Sequence, residues 1–409
     1  MLEDHLKLLS RSTCRRLRES PAGVHVEAFV ESLLAEGYSP VTVSQTCYFL
    51  AALTDWVARN GFGDDLGAGL SGYTALATQG RHRGSSTARR VRGAGRRYLQ
   101  FLRRRGLVPP LRLAYQNWPI LGEFHAWSIS QRGLAETTLQ LYEDILVDLV
   151  EALGDDPRAY TARELRDFVV ERSRPHSRRR GETIVCAVRT FLRFLVANGR
   201  CPEGMPDAIP CFASWKLSSL PRFLEAQAVQ KVIEACQPTT PVLRRNLAIL
   251  LLLSRLGLRS GDIGRIVFGD IDWRNATIAV SGKSRRHECL PLPQDVGDAI
   301  LAYIRHGRPA IRHPQVFLTA RAPYRPLKSG AISRITDAAI RRAGVEAPNH
   351  GAHVFRHSAA TAMLRQGAQL QTIGAVLRHR SPDTTLLYAK VDFAALAEIA
   401  MAWPEESPC

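Results

Sequence analysis

Residues that suit chemistry on a phosphodiester fall within positions 353–388. His353 and Arg356 are three residues apart, so they share a face if the segment is helical. His379 follows a short apolar stretch, and Tyr388 comes nine residues later, after a Ser-Pro-Asp turn. A tyrosine hydroxyl can act as a nucleophile, while Arg and His can neutralise charge and move protons. The segment therefore predicts a site at which a tyrosine attacks a phosphodiester.

Two more basic residues come earlier in the chain. Arg259 stands in LGLRSGD, just before a predicted helix, and Lys283 stands on a tight turn in SGKSRRHECLPLP. In this order the pieces closely resemble the catalytic domain of tyrosine recombinases, the phage-type integrases. The pattern of that family is Arg, Lys, His-x-x-Arg, His or Trp, and then Tyr, and each position is filled over about residues 220–400. The resemblance implies six catalytic residues: Arg259, Lys283, His353, Arg356, His379 and the nucleophile Tyr388.

Charge neutralisation gives three of these residues a physical role. Attack by Tyr388 on phosphorus produces a pentacoordinate centre with added negative charge. Guanidinium forks from Arg259 and Arg356 can bracket the non-bridging oxygens of that centre. His379 would add a third hydrogen-bond donor.

Proton transfer accounts for the other two. The leaving 5′-oxygen needs a proton, which Lys283 can deliver, and His353 can accept the tyrosine proton near neutral pH. Because Arg, Lys and His supply the charge, we expect no metal. Because a phosphotyrosine keeps the bond energy, we expect no ATP; the sequence has no carboxylate cluster for Mg²⁺ and no Walker-type loop. The predicted cofactor requirement is none.

Four neighbouring residues remain open. Asp262 is either the family's supporting acidic residue or a carboxylate at a helix N-terminus. For His357, Arg378 and Arg380 we expect packing or phosphate contacts rather than catalysis.

The charge of the whole chain agrees with a nucleic-acid partner. The 409 residues carry a net charge of +17, and six of the 55 cationic side chains are Lys, the rest being Arg. A genomic bias could explain Arg over Lys, but not the excess of positive charge. Arg holds phosphate through a bidentate fork. We therefore expect double-stranded DNA as the partner.

The N-terminal half repeats one helical plan. The segment after Gly37, YSPVTVSQTCYFLAALTDWV, matches the segment after Gly133, LAETTLQLYEDILVDLVEAL, at an offset of 96 residues. The basic helix that follows each of them matches at an offset of 93 residues. We predict two small helical DNA-binding modules, residues 1–112 and 113–204, which the family resemblance makes SAM-like.

The C-terminal half has a different composition. Residues 205–222 are rich in Pro and Ser and predict a linker, followed by a catalytic domain at 223–409. Two alternating stretches around the Lys283 turn predict a β-hairpin, and the remaining patterns predict helices. The predicted fold class is mainly α with a small antiparallel β-sheet in the C-terminal catalytic domain.

Basic loops between the helices of the two modules are candidates for phosphate contact, although such loops can simply be solvated. They are GRHRGSS at 80–86 and RSRPHSRRRGE at 172–182. The candidate DNA-binding residues are Arg81, Arg83, Arg178, Arg179 and Arg180.

The last predicted helix, residues 392–403, has a narrow apolar stripe. Packing on its own domain is one interpretation. The family resemblance favours docking on a neighbouring subunit, which predicts that deletion of residues 392–409 impairs assembly on DNA more than binding to one site.

These patterns predict a site-specific DNA recombinase, an integrase or transposase of a mobile element. The resemblance implies a 3′-phosphotyrosine intermediate, a Holliday junction, and four protomers or a hetero-assembly with related recombinases. The doubled N-terminal module favours a mobile element over a minimal resolvase. The alternatives are a DNA-binding accessory subunit that does not cut and a type IB topoisomerase-like enzyme that acts alone.

The N-terminus is mixed and charged, which is not typical of a signal peptide. The longest apolar run, Leu247 to Leu253, is too short to span a bilayer. We therefore expect a cytoplasmic location without membrane contact.

Overall fold

A computed structural model describes residues 8–20, 22–62, 65–78, 86–108, 117–212, 220–281, 287–379 and 381–390. The chain forms two compact units. The first comprises Met1–Tyr98 and Leu217–Cys409, and the second comprises Leu99–Lys216. The three-part division expected from the sequence stays a prediction.

Helices make up the described N-terminal region. At the start of the longest one, the Ser39 hydroxyl accepts from the backbone N–H of Thr42 at 3.3 Å, and Pro40 follows the cap. Ser39 is therefore the N-cap of this helix, and Pro40 is its first residue. The helices are α1 (Arg11–Arg18), α2 (Val26–Ala35), α3 (Pro40–Arg59), α4 (Leu66–Thr78) and α5 (Ser86–Arg104).

Four more helices follow and bury an aromatic core within the second unit. Phe191 packs edge-on against Phe124, with ring centroids 5.4 Å apart. A capping box between Thr161 and Glu164 fixes the start of the third helix of this set. The helices are α6 (Pro119–Arg132), α7 (Glu136–Leu153), α8 (Ala162–Ser173) and α9 (Arg178–Ala197).

The repeated plan is visible in the order of the helices. Helices α2 to α5 and α6 to α9 correspond one to one in order, and a glycine with positive φ lies within two residues of the end of the first and last helix of each set. These glycines are Gly37, Gly106, Gly133 and Gly199.

The C-terminal region is helical around a three-stranded antiparallel sheet of order β1-β2-β3. Ile278 pairs with Leu290 and Val280 with Glu288, so the hairpin predicted on either side of Lys283 is confirmed. Lys283 itself lies outside the described residues. The strands are β1 (Ile271–Asp272), β2 (Thr277–Ser281) and β3 (His287–Pro291).

Helix α11 is the centre of the catalytic-region core. The Thr240 hydroxyl caps it by accepting from the Leu243 N–H at 3.2 Å. Its residues from Ala248 to Leu253 are buried, and apolar side chains from the sheet and the surrounding helices cover them. The helices are α10 (Ala226–Glu234), α11 (Pro241–Arg255), α12 (Ser260–Ile263), α13 (Gln294–His306), α14 (Ser329–Arg342), α15 (His353–Arg365), α16 (Leu370–Val376) and α17 (Asp383–Ala389).

The mainly helical class with a small antiparallel sheet is thus confirmed, and one local expectation is wrong. The predicted basic loop at 172–182 ends earlier, because Arg178 begins α9. The predicted helix at 392–403 lies outside the described residues. Across the part of the chain that the structure describes, none of the helices is long and apolar enough to cross a bilayer.

Candidate active site

Segments that are distant in sequence meet at one place in the first unit. Helix α15 contributes His353, Arg356 and His357. The single-turn helix α12 begins directly after Arg259, and α17 carries Tyr388. The turn between α16 and α17 carries Arg378 and His379. Among the described residues, the structure therefore brings the predicted catalytic side chains into one region.

Backbone carbonyls hold Arg356 from two sides. Its Nη1 donates to the carbonyl of Gly257 and its Nη2 to the carbonyl of Leu377. The residue is 5% exposed. Burial, together with the nearby charge of Arg259, lowers the pKa of Arg356 to about 10. The guanidinium thus stays charged at neutral pH and has a fixed orientation.

Arg259 rests on the next carbonyl along the same turn. Its Nη2 donates to the carbonyl of Arg378 at 2.9 Å. Burial lowers its pKa, and the carboxylate of Asp262 opposes that shift. Since Leu377 and Arg378 are consecutive, the two guanidinium groups are held close together by one turn.

Gly257 explains how Arg356 can come so close to the chain. This glycine has φ +57°, and a Cβ built on it would lie 2.6 Å from Cδ2 of Leu377. Only glycine adopts this conformation without a steric penalty and leaves room for the contact. The glycine thus places the carbonyl that accepts from Arg356.

Tyr388 is buried beside two histidines. It is 1% exposed, and its hydroxyl lies 2.9 Å from Nδ1 of His357. Its ring stacks on that of His379, with centroids 6.3 Å apart and planes 6° apart. Burial raises the pKa of Tyr388 to about 12, against the opposing charge of Arg356. A tyrosine of this kind needs a base to become a nucleophile.

Both histidines are neutral at pH 7. Burial, aided by His353 and Arg356, lowers the pKa of His357 to about 4. Burial and the nearby arginines lower the pKa of His379 to about 4. Nδ1 of His379 lies 2.7 Å from Oγ1 of Thr385, which fixes the ring. If the threonine hydroxyl donates to Nδ1, the ring proton is on Nε2, which can then donate to a substrate oxygen.

His357 is a site residue that the sequence did not single out as catalytic. His353, the predicted proton acceptor, is the exposed first residue of α15. The ring within hydrogen-bond distance of the Tyr388 hydroxyl is that of His357, one turn later. The spacing i, i+4 on one helix face was a signal for this residue, but it did not tell which histidine meets the tyrosine.

Asp262 joins the site through two ion pairs. Its Oδ2 lies 2.6 Å from Nη2 of Arg378, and its Oδ1 lies 2.6 Å from Nη2 of Arg265. The carboxylate is 3% exposed. A buried carboxylate paired in this way supports the Arg259 turn, so the two interpretations of Asp262 are not exclusive. Asp262 lies in the first turn of α12, and its carboxylate also pairs with arginines of the site.

The remaining predicted residues fall into two groups. Lys283, Arg81, Arg83 and Arg380 lie outside the described residues. Arg178, Arg179 and Arg180 form the first turn of α9 in the second unit. Their side chains are exposed or partly exposed, as a DNA contact requires.

Comparison with known proteins places this site in a family. The sequence profile of the Phage integrase family matches residues 222–395. A Sinorhizobium fredii protein, the provisionally named integrase/recombinase y4rA, is 32% identical over 400 residues, which cover 95% of this chain and 96% of that protein. The chain belongs to the phage integrase family of tyrosine recombinases. Membership makes it a DNA strand-transferring enzyme of the site-specific integrase/recombinase class.

Solved structures of tyrosine recombinases share the fold. The XerH site-specific recombinase bound to palindromic difH substrate, in a post-cleavage complex, has a TM-score of 0.55 at 18% identity, over 70% of this chain and 85% of that chain. The Tn1549 transposon integrase, in complex with transposon right end DNA, has a TM-score of 0.50 at 16% identity, over 68% of this chain and 99% of that chain. At these identities the likeness concerns the fold.

Proposed function

We propose that this tyrosine recombinase cleaves and rejoins DNA through a covalent bond to Tyr388. The observation that supports this most directly is the contact between the Tyr388 hydroxyl and a neutral His357, at 2.9 Å, beside two arginines held on consecutive carbonyls. A nucleophile, a base and two cations are the groups that phosphoryl transfer requires.

The proposed step moves one phosphoryl bond. A bond forms between Oη of Tyr388 and phosphorus, and the bond from phosphorus to the 5′-oxygen breaks. The tyrosine proton passes to His357, and the products are a 3′-phosphotyrosine and a 5′-hydroxyl. Arg259 and Arg356 neutralise the non-bridging oxygens in the transition state. Religation is the reverse of this step with a new 5′-hydroxyl.

The proton for the leaving oxygen comes from Lys283 in this proposal, as the family resemblance implies. Neither ATP nor a metal takes part: the phosphotyrosine stores the bond energy, and arginine, lysine and histidine supply the charge and the protons. Asp262 forms ion pairs with two arginines, so its carboxylate holds those side chains in place.

Assembly is the second part of the proposal. Two recombination sites are paired by four protomers, or by a hetero-assembly with related recombinases, and strands exchange through a Holliday junction. The transposon integrase among the similar folds supports an element-mobilising role. We further propose that the three-part division into residues 1–112, 113–204 and 223–409 lets the chain enclose duplex DNA.

A nicked suicide DNA substrate from the flanks of the native gene tests the chemistry. We expect a covalent protein–DNA adduct on a denaturing gel with the wild type and none with Tyr388→Phe. Tyr303→Phe is the matched control, because Tyr303 is equally buried in the same unit but lies in a different cluster of the core, beside Phe317. It should retain the adduct.

Other outcomes favour the alternatives. Tight, salt-sensitive binding without an adduct on any flank would indicate an accessory DNA-binding subunit. DNA relaxation without any joined two-site product would indicate a topoisomerase-like enzyme.

A further inference from the structure

Arg378 has a backbone conformation that is unusual for its residue type. It follows the end of α16 with φ +56°, in the left-handed region, and its N–H donates to the carbonyl of Ala375 at 2.9 Å. Glycine is the residue that helix ends of this kind prefer, because a side chain introduces strain there. The backbone of the turn therefore gives no reason for an arginine, and the reason must lie in the side chain.

The Arg378 side chain reaches the helix that follows Arg259. It is 5% exposed, and its Nη2 lies 2.6 Å from Oδ2 of Asp262. Asp262 is three residues after Arg259 in the single turn of α12. A charge-assisted hydrogen bond between two buried groups is short and directional. It therefore anchors the turn that carries Arg259.

The same residue also holds the Arg259 guanidinium. The carbonyl of Arg378 accepts from Nη2 of Arg259 at 2.9 Å. Arg378 thus makes two hydrogen bonds to the Arg259 segment, one through its backbone carbonyl and one through its side chain. The preceding carbonyl, that of Leu377, accepts from Arg356 in the same turn.

Part of the Arg378 guanidinium has no hydrogen bond in the described part of the chain. Nε and Nη1 are buried without an acceptor, and Oε2 of Glu288 lies 4.0 Å from Nε. Buried donors are paired in the great majority of cases, and exceptions concentrate at functional sites. In the described part of the chain, the bond to Asp262 is therefore the one side-chain hydrogen bond that holds the Arg378 guanidinium.

We propose that Arg378 is a positioning residue for Arg259 in the cleavage reaction. The proposal rests on the proposed function, in which Arg259 neutralises a non-bridging oxygen of the scissile phosphate. Arg378 fixes both the turn and the guanidinium of Arg259, so the cation lies where negative charge develops. A displacement of about 1 Å at such a group lowers a rate by on the order of 10²-fold.

Substitutions at position 378 separate the side chain from the backbone. Arg378→Gly keeps the left-handed conformation and the carbonyl, and removes the guanidinium together with its anchor to Asp262. Arg378→Lys keeps the charge, while Arg378→Gln keeps most of the length without it. Arg265→Ala is the matched control, because Arg265 pairs with the other oxygen of the same Asp262 carboxylate and its side chain is 50% exposed.

The readout is the rate of adduct formation at saturating nicked DNA, with DNA affinity and melting temperature measured in parallel. We expect Arg378→Gly and Arg378→Gln to lower the rate by on the order of 10- to 100-fold with DNA affinity nearly unchanged. Arg378→Lys should recover most of the rate, and Arg265→Ala should stay close to the wild type.

A substrate with a neutral methylphosphonate at the scissile position makes the test specific. This ester lacks one charged non-bridging oxygen, so its cleavage depends less on a correctly placed cation. The deficit of Arg378→Gly and Arg378→Gln should shrink to a few-fold on it, about tenfold less than on phosphate. A general structural defect would lower the rate of adduct formation equally on both substrates.

Two results would overturn the proposal. One is a wild-type rate for Arg378→Gln or Arg378→Gly on phosphate. The other is an equal loss of cleavage rate on the phosphate and methylphosphonate substrates. A variant that loses rate because it no longer shows a melting transition belongs to this second case. Failure of the proposed function looks different, since the wild type itself would then form no adduct, and the role assigned to Arg378 would fall with it.

Discussion

Burial sets the protonation of the groups around Tyr388. The hydroxyl, with its pKa raised to about 12, keeps its proton at neutral pH, whereas His357, with its pKa lowered to about 4, is neutral. A neutral imidazole at 2.9 Å is therefore placed to accept the proton as the tyrosine attacks. The same burial that makes the tyrosine a weak acid keeps its neighbour neutral, and with the ring proton on Nε2 the Nδ1 atom of His357 can accept.

His357→Asn tests this assignment. The asparagine Oδ1 can take the place of Nδ1 and keep the hydrogen bond to Tyr388, but it cannot take up a proton. We expect adduct formation to fall by on the order of 10²-fold or more, with DNA binding unchanged. The rate of adduct formation in a single-turnover cleavage experiment would measure this loss.

His353→Asn is the comparison for that experiment. If it lowers the rate more than His357→Asn does, the proton passes to His353, as the sequence predicts. A smaller effect favours His357.

Stability should depend on pH through the same buried histidines. His357 and His379 have folded-state pKa values of about 4, below the unfolded value of about 6.5, so between these limits the unfolded chain binds more protons. The contribution of these two histidines to the free energy of unfolding therefore has its full value above pH 6.5. It falls as pH drops toward 4, by about 1.4 kcal/mol per pH unit for each proton taken up.

Urea denaturation between pH 5 and pH 8 measures this. We expect His357→Asn to show a shallower decline than the wild type below pH 6.5. An identical decline in both proteins would mean that His357 already titrates normally in the folded state.

Among the elements, the turn before α12 constrains the site most tightly. Gly257 places its carbonyl against Arg356, and a Cβ at this position would lie 2.6 Å from Leu377. Gly257→Ala should therefore combine a backbone penalty with a clash that shifts the arginine. We expect a loss of about 2–4 kcal/mol in unfolding free energy and a strong loss of cleavage.

Gly344→Ala is the matched control. Gly344 has a similar φ, +61°, but a Cβ there meets nothing within 4 Å. Its substitution should cost only about 1 kcal/mol and leave cleavage intact. Equal losses in the two variants would show that backbone strain alone is responsible at Gly257.

The order of elements was largely predictable from local signals. Ser39-Pro40 and Thr240-Pro241 are helix-start signals that act within one turn, and the structure confirms the Ser39 and Thr240 caps. The basic loop at 172–182 was misjudged because a run of charge suggests solvated chain. Arginine is a good helix former, however, and the buried face of α9 begins only three residues after Arg178, at Gly181.

The site was predictable in its residue types but not in its pairings. Spacing put His353 and His357 on one face of α15, but only the packing of α17 against α15 decides which ring meets Tyr388. No local rule predicts an arginine in a left-handed turn, so Arg378 could not be assigned a partner. Both depend on contacts between segments more than 30 residues apart in the chain.

At the scale of the whole molecule, the charge of +17 on 409 residues predicts a large electrostatic contribution to DNA affinity. Each phosphate that a cation neutralises releases a counterion, so affinity falls steeply with salt and carries little sequence information. Positive charge alone does not tell which arginines contact DNA. A local cluster can be tested against an equal loss of charge elsewhere in the same unit.

The first turn of α9 is such a cluster. Arg179→Gln with Arg180→Gln should weaken binding to all DNA sequences alike and lower the slope of log affinity against log salt by about 2, because two phosphate contacts are lost. Arg163→Gln with Arg166→Gln is the matched pair, since both arginines lie on α8 in the second unit and are exposed. The two double variants have the same net charge. A change in slope confined to the α9 pair would therefore identify a contact surface, whereas equal small changes would mean that these arginines act only through the overall field.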